Sequence, residues 1–336
     1  MNTVSPLPVA AKPLPMRDAL LQRIYENMAT DEDIFFVTAD FGSPVLDKIR
    51  GDYPDRFINV GIAEQNLINV SAGLALEGYK VFAYAIAPFI TMRCYEQIRV
   101  SLAILSQVRP MNVTLIGVGA GYSYVVSGPT HQCFEDLSLM RALPSLSVHS
   151  PADHITAAAQ FETCLAFKGC SYLRLDAQVL PIIYEQAPDL KRGFHVHREG
   201  QGIVLLATGY MVHTAKQVAE KLAQSGINAG VIDLFELTQF DEKAMLAALA
   251  PYDGIVTMEE GFRGRGGMDS MMFDFAVRHD LRAKINNIGV KPAYQFELGT
   301  RASLHEHISI GVEAVCQTVT TFAGKLAQPA PAQKRN

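Results

Sequence analysis

The stretch RFINVGIAEQNLINVSAGLALEG, residues 56–78, decides the fold. Residues 56–62 are apolar and β-prone, and 63–78 carry apolar residues at helical spacing. A strand that hands over directly to a helix is the repeating unit of a parallel sheet. The same alternation extends on both sides. Upstream, 16–28 has helical spacing and DIFFVTAD (33–40) reads as a buried strand. Downstream, strands are expected at 81–85, 111–118, 146–150 and 172–175, with helices at 90–106, 135–142 and 152–167. The strands are apolar throughout rather than alternating, which indicates a sheet covered on both faces.

A polar break with Pro and Gly follows at 185–202, after which the pattern restarts. Strands are expected at 203–208, 229–233, 254–259 and 283–289, and helices at 211–225, 242–249, 267–279 and 305–323. The chain therefore reads as two α/β domains, 16–190 and 200–324, between a Pro-rich lead-in (1–15) and a flexible tail (325–336). With 336 residues, 49% hydrophobic and 19% charged, and mean hydropathy +0.12, it has enough apolar material for large cores. A formal net charge of −5 and a pI near 6.0 do not suggest a nucleic-acid binder. No apolar run reaches the ~18 residues of a membrane span, and no signal peptide is visible at the start. Five scattered Cys without C-x-x-C form neither a disulfide framework nor a zinc site, so a reducing cytoplasm is expected.

Generic phosphate motifs are absent. There is no G-x-x-x-x-G-K-[ST], and the clusters at 117–122 and 261–267 fail G-x-G-x-x-G. No G-x-S-x-G elbow occurs. The pairs His195/His197 and His305/His307 lack a third ligand at metal spacing and read as surface or interface polarity. Open parallel sheets bind ligands at the C-terminal ends of their strands, which draws attention to two loops. In the first, Glu64 sits where a strand meets a helix. On spacing alone, a carboxylate there suits the unpaired N–H groups of the helix start. In the second, Gly128-Pro129 forces a turn that presents Thr130 and His131.

Taken together, GIAEQN (61–66), APF…YEQIR (87–99), GPTHQ..ED..LMR..P (128–144) and SPAD (150–153) resemble the pyrimidine-binding domain of thiamine-diphosphate enzymes, transketolases above all. ATGYMV..A (207–215), VIDL (231–234), VTMEEG (256–261) and GTRASLHEH (299–307) are similar to the transketolase C-terminal domain. The resemblance covers roughly residues 16–323. It implies a pyrimidine-binding domain with a parallel sheet plus a transketolase C-terminal α/β domain, and a transferase that moves a two-carbon ketol unit from a ketose, or its phosphate, to an aldose. In this family a G-D-G…N motif holds the diphosphate and Mg²⁺. This chain lacks it, so the resemblance implies the C-terminal half of a split enzyme. A partner chain would bring the diphosphate and metal, in an α₂β₂ assembly.

By the same resemblance Glu64 is the carboxyl that drives the aminopyrimidine ring's tautomer, and His131 contacts the sugar and moves protons. Phe89 and Ile62 flank the cofactor. Arg17, Arg174, Ser43 and Ser127, with His131, bind the sugar or its phosphate. Two departures suggest an altered sugar pocket for a deoxy, branched or otherwise modified substrate: Ser127 stands where transketolases carry Asp, and Gly119 where they carry His. The charged, Gly-rich 259–267 segment reads as a loop at a subunit interface. Two other readings compete: a deoxyxylulose-phosphate-synthase-like or 2-oxoacid dehydrogenase β-type subunit that decarboxylates a 2-oxoacid, and a non-catalytic paralogue.

Overall fold

The computed structural model of the chain describes residues 12–327, so most of the expected lead-in and tail lie outside the described residues. The first domain opens with α1 (Met16–Met28), β1 (Ile34–Thr38), α2 (Pro44–Asp52), β2 (Phe57–Asn59), α3 (Glu64–Leu76) and β3 (Lys80–Ile86). A helical run over 89–107 (α4) leads to β4 (Asn112–Val118), α5 (Asp136–Arg141), β5 (Leu146–His149), α6 (His154–Ala166) and β6 (Cys170–Leu175). The six strands are parallel in the order β2-β1-β3-β4-β6-β5. β3, β4 and β6 are buried nearly end to end, as strands packed on both faces must be. α6 begins with a capping box: Asp153 Oδ1 accepts from Thr156 N at 2.9 Å, and Asp153 N donates to Thr156 Oγ1 at 3.3 Å. The other carboxylate oxygen accepts from Ile183 N and Tyr184 N, so the SPAD aspartate starts a helix and pins a later segment.

The second domain comprises β7 (Phe194–Arg198), β8 (Gly202–Ala207), α7 (Met211–Gln224), β9 (Gly230–Leu234), α8 (Glu242–Leu249), β10 (Tyr252–Phe262), α9 (Met268–Arg278), β11 (Lys284–Val290), α10 (Arg301–His307) and α11 (Val312–Ala327). Its sheet has the order β11-β10-β8-β9-β7, parallel except for β7. Three expectations are corrected here. Residues 194–198 are not linker but an antiparallel edge strand, with His195 opposite Asp233. The helix expected at 305–323 is two helices, broken where Ser309 turns to φ 65° ahead of Gly311. Glu259 and Glu260 belong to β10 and are buried rather than looped out.

The domains are tied by polar groups at a seam. Ser150 N donates to Phe235 O and Leu237 N to Val148 O, both at 2.8 Å. Between them, Glu236 accepts from Ser147 Oγ and pairs with His149 Nδ1, each at 2.9 Å. Burial works against the Glu236 charge, but His149, Thr238 and Ser147 together hold it down at about 2.

Asp233 behaves oppositely. It is fully buried and accepts only from Tyr184 Oη, at 2.7 Å, and burial raises its carboxyl to about 8. Below about pH 4 this group is protonated whether the chain is folded or not. As pH rises to about 8 the unfolded chain ionises it first, so stability is lost across that window. Asp233→Asn is expected to remove this slope. Unfolding free energies of variant and wild type, from denaturant titrations, should diverge from pH 5 to pH 8 in the variant's favour, by on the order of 1–3 kcal/mol. Parallel profiles would show that Asp233 is not the group responsible.

Candidate active site

The candidate residues of the first domain other than Arg17 on α1 and Arg174 within β6 follow the C-terminal ends of its parallel strands, where ligands collect in such sheets. Glu64 opens α3, just after β2. Gly61 makes the turn at φ 74°, and Ala63 N closes it by donating to Gly61 O at 2.8 Å. The turn drives the Glu64 side chain inward to 3% exposure, while Ile62 is left 77% exposed. The Glu64 carboxylate has one protein partner, Arg93 Nη1 at 2.7 Å. It makes no side-chain cap of α3 but lies in the helix's first turn, where a carboxylate is electrostatically favoured.

Phe89 and Arg93 lie on a single π turn at the start of α4. Two buried side chains bond back into that turn, Thr91 Oγ1 to Ala87 O (2.7 Å) and Cys94 Sγ to Ile90 O (2.8 Å). The wide turn sets both residues on one face, with the Arg93 guanidinium 4.5 Å above the Phe89 ring centroid. His131 meets the same ring edge-on at 5.3 Å, and its Nδ1 lies 2.9 Å from Thr130 Oγ1. Gly128 at φ 69° makes the turn that brings it there, with His131 N donating to Gly128 O. An open groove of about 730 Å³ runs past Phe89, Arg93, Pro129 and Thr130 to Tyr294 and Phe296 of the second domain.

A second cluster lies around α1. Arg17 Nε pairs with Asp18 Oδ1 at 2.8 Å, and the same oxygen accepts from Ser43 Oγ at 2.9 Å. Ser43 also caps α2. The buried Tyr84 hydroxyl lies beside Arg17. Ser127 is exposed on the 119–131 loop.

Arg174 does not join either cluster. Its strand is buried along its length and the residue is only 2% exposed. Nε pairs with Asp136 Oδ2 at 2.7 Å and Nη2 donates to Glu260 O at 2.8 Å. The expected phosphate contact is therefore replaced by a buried ion pair within the first domain and a bond across the seam to the second. The other half of that seam is Arg301. Its Nε donates to Glu260 Oε1 at 2.9 Å, its Nη2 pairs with Glu260 Oε2, and its Nη1 reaches Asp176 Oδ2 at 2.5 Å. The guanidinium lies 3.6 Å from the Tyr210 ring centroid, and His305 Nε2 is 2.5 Å from Glu260 Oε1. Burial opposes the Glu260 charge, and Arg301 and His305 hold it far below the usual carboxylate range. Glu259 instead accepts from Met268 N and Asp269 N at the start of α9, and burial pushes it up to about 7. His305 is thus interior, His307 is exposed as expected, and His195 and His197 are half-buried against Tyr184.

Sequence reading missed Arg93, although its spacing of four from Phe89 in a helical run was a usable sign. Among the described residues no group of three His, Cys, Asp or Glu could hold a metal ion. No described helix is long and apolar enough to cross a membrane.

A buried acid, an aromatic ring and a histidine gather where β2, β3 and β4 of the parallel sheet end. The transketolase pyrimidine-binding domain family matches residues 12–182 and the transketolase C-terminal domain family residues 193–315. The chain belongs to the transketolase family. It is 30% identical over 302 residues to the 6-deoxy-6-sulfo-D-fructose transketolase subunit SqwH of Clostridium sp. (strain MSTE9), covering 89% of this chain and 92% of that one. It is 27% identical to one of the apulose-4-phosphate transketolase subunits of Actinobacillus succinogenes, covering 89% and 96%. The solved structure of a split-gene transketolase, an inactive β₄ tetramer, superposes with a TM-score of 0.82 at 28% identity, covering 94% of this chain and all of that one.

Proposed function

We propose that this chain is the pyrimidine-binding subunit of a split transketolase, and that it transfers a two-carbon ketol unit from a ketose or ketose phosphate to an aldose. One observation carries the reading. Glu64 is a deeply buried carboxylate whose single protein partner, Arg93, is itself half exposed and stands in the open groove. A buried acid whose one partner reaches out into the groove can take a further partner, and the ring nitrogen of an aminopyrimidine is one. Phe89 supplies the apolar face against which such a ring packs. The residues present therefore fit the pyrimidine end of thiamine diphosphate. When bound, that cofactor supplies the carbanion chemistry of the reaction.

The chain's own residues supply the rest. Glu64 holds a proton against the ring nitrogen. His131, oriented by Thr130, contacts the sugar oxygens and exchanges protons with them. Arg17, steadied by Asp18 beside Ser43, takes the terminal anion of the substrate. Ile62, exposed beside Glu64, covers the cofactor. The diphosphate and its Mg²⁺ belong to a partner chain with the G-D-G…N motif, in an α₂β₂ enzyme of the cytoplasm. The inactive β-only tetramer of the structural relative is consistent with that dependence. The substrates in the names of the two relatives, 6-deoxy-6-sulfo-D-fructose and apulose 4-phosphate, agree with the altered 119–127 loop in pointing to a modified sugar.

Tagged purification from the native host, with mass spectrometry and cofactor assay of the product, tests the assignment. A stoichiometric second chain bearing G-D-G…N together with thiamine diphosphate is the expected result. A cofactor-free homo-oligomer would overturn it.

A further inference from the structure

Arg93 meets both of the groups that the proposed function gives to the cofactor's ring. Its Nη1 donates to Glu64 Oε2 at 2.7 Å, and its guanidinium carbon stands 4.5 Å over the Phe89 ring centroid. A planar cation thus lies between the buried carboxylate and the aromatic face. An aminopyrimidine is also planar. To bond Glu64 and pack on that face of Phe89 at once, it needs the space the guanidinium holds.

The two sides of this contact differ in freedom. Glu64 is buried in the first turn of α3. The backbone under Arg93 is held as well: Thr91 Oγ1 and Cys94 Sγ bond back into the π turn, and Gln65 Nε2 of α3 donates to Arg93 O at 3.4 Å. The Arg93 side chain is 46% exposed and lines the open groove, which Glu135 also lines. It can turn outward while everything it touches stays in place. The groove then offers the guanidinium solvent and a second carboxylate.

We propose that Arg93 gates the pyrimidine pocket: its guanidinium fills the ring's place and balances the Glu64 charge, and it rotates into the groove as the ring enters. The proposal rests on the transketolase reading above. Each binding event gives up the contacts of Arg93 with Glu64 and Phe89. The apparent affinity for cofactor is therefore lower than the pocket without the guanidinium would show. A half-exposed ion pair and a cation–π contact together weaken it by about three- to thirtyfold.

The test measures cofactor binding rather than turnover. The complex of this chain with its partner is stripped of cofactor and titrated calorimetrically with thiamine diphosphate and Mg²⁺. Arg93→Met removes the planar cation and should lower Kd by about three- to thirtyfold. A residue that only braced Glu64 for the cofactor would give the opposite result, weaker binding. In a Glu64→Gln background the ion pair is already gone, so the same substitution should tighten binding less. If Arg93→Met fails to assemble, Arg93→Gln is titrated in its place. An unchanged or raised Kd, or an equal gain in both backgrounds, overturns the proposal. A wild-type complex that binds no thiamine diphosphate defeats the transketolase reading itself, so the two failures are distinguishable.

Discussion

Glu64→Gln in the assembled enzyme is expected to lower kcat by about 10²–10⁴-fold, the range general acid–base groups supply. The substitution is nearly isosteric, and the residue has a single side-chain partner, Arg93. Folding and assembly should therefore survive, and the loss should fall on kcat rather than on complex formation. The amide cannot give or take the proton that a carboxyl shares with a ring nitrogen. Arg93 sharpens the test, because until the cofactor enters, its guanidinium in the variant faces a neutral amide and keeps its stacking on Phe89. Arg93→Met leaves the acid in place and should cost less than Glu64→Gln. A Glu64→Gln enzyme with most of its activity would remove Glu64 from the mechanism.

Arg301→Met is expected to be the most destabilising single change in the chain, by about 3–5 kcal/mol. Arg301 is 5% exposed and neutralises two buried carboxylates at once, Glu260 bidentately and Asp176 singly. Removing it strands both in the interior, where unpaired charge is most expensive. Glu260→Gln should be milder, since the amide still accepts from Arg301 and no orphaned charge is created. The pH dependence has a fixed sign. Glu260 titrates lower in the folded chain than unfolded, so the pairing contributes above the ordinary carboxylate range and is lost as pH falls. Denaturant unfolding at pH 7 and pH 4 measures this. A loss under about 1 kcal/mol at pH 7 would mean that water already reaches the seam.

Much of the architecture was legible because buried parallel strands and amphipathic helices write different periods into the chain. Residues 16–28 and 242–249 are helices at the expected bounds. What escaped did so for local reasons. The edge strand at Phe194–Arg198 carries two His and an Arg and lies in a segment with Gly on either side, so its period of two was masked. The π turns of α4 keep an apolar spacing close to that of an α-helix and leave no separate mark. For the site, spacing alone favoured a helix-start electrostatic role for Glu64, and only the joint motifs pointed to the cofactor. Arg174 was misplaced although its neighbours Tyr172, Leu173 and Leu175 already marked an interior strand.

All five cysteines are buried, and burial raises their thiols above the ordinary value. Peroxides and alkylating reagents act on accessible thiolates, and the folded chain offers them almost none. It is in effect a cysteine-silent scaffold. One cysteine introduced at an exposed position such as Ser127 would be its sole reactive handle, on the loop between β4 and α5.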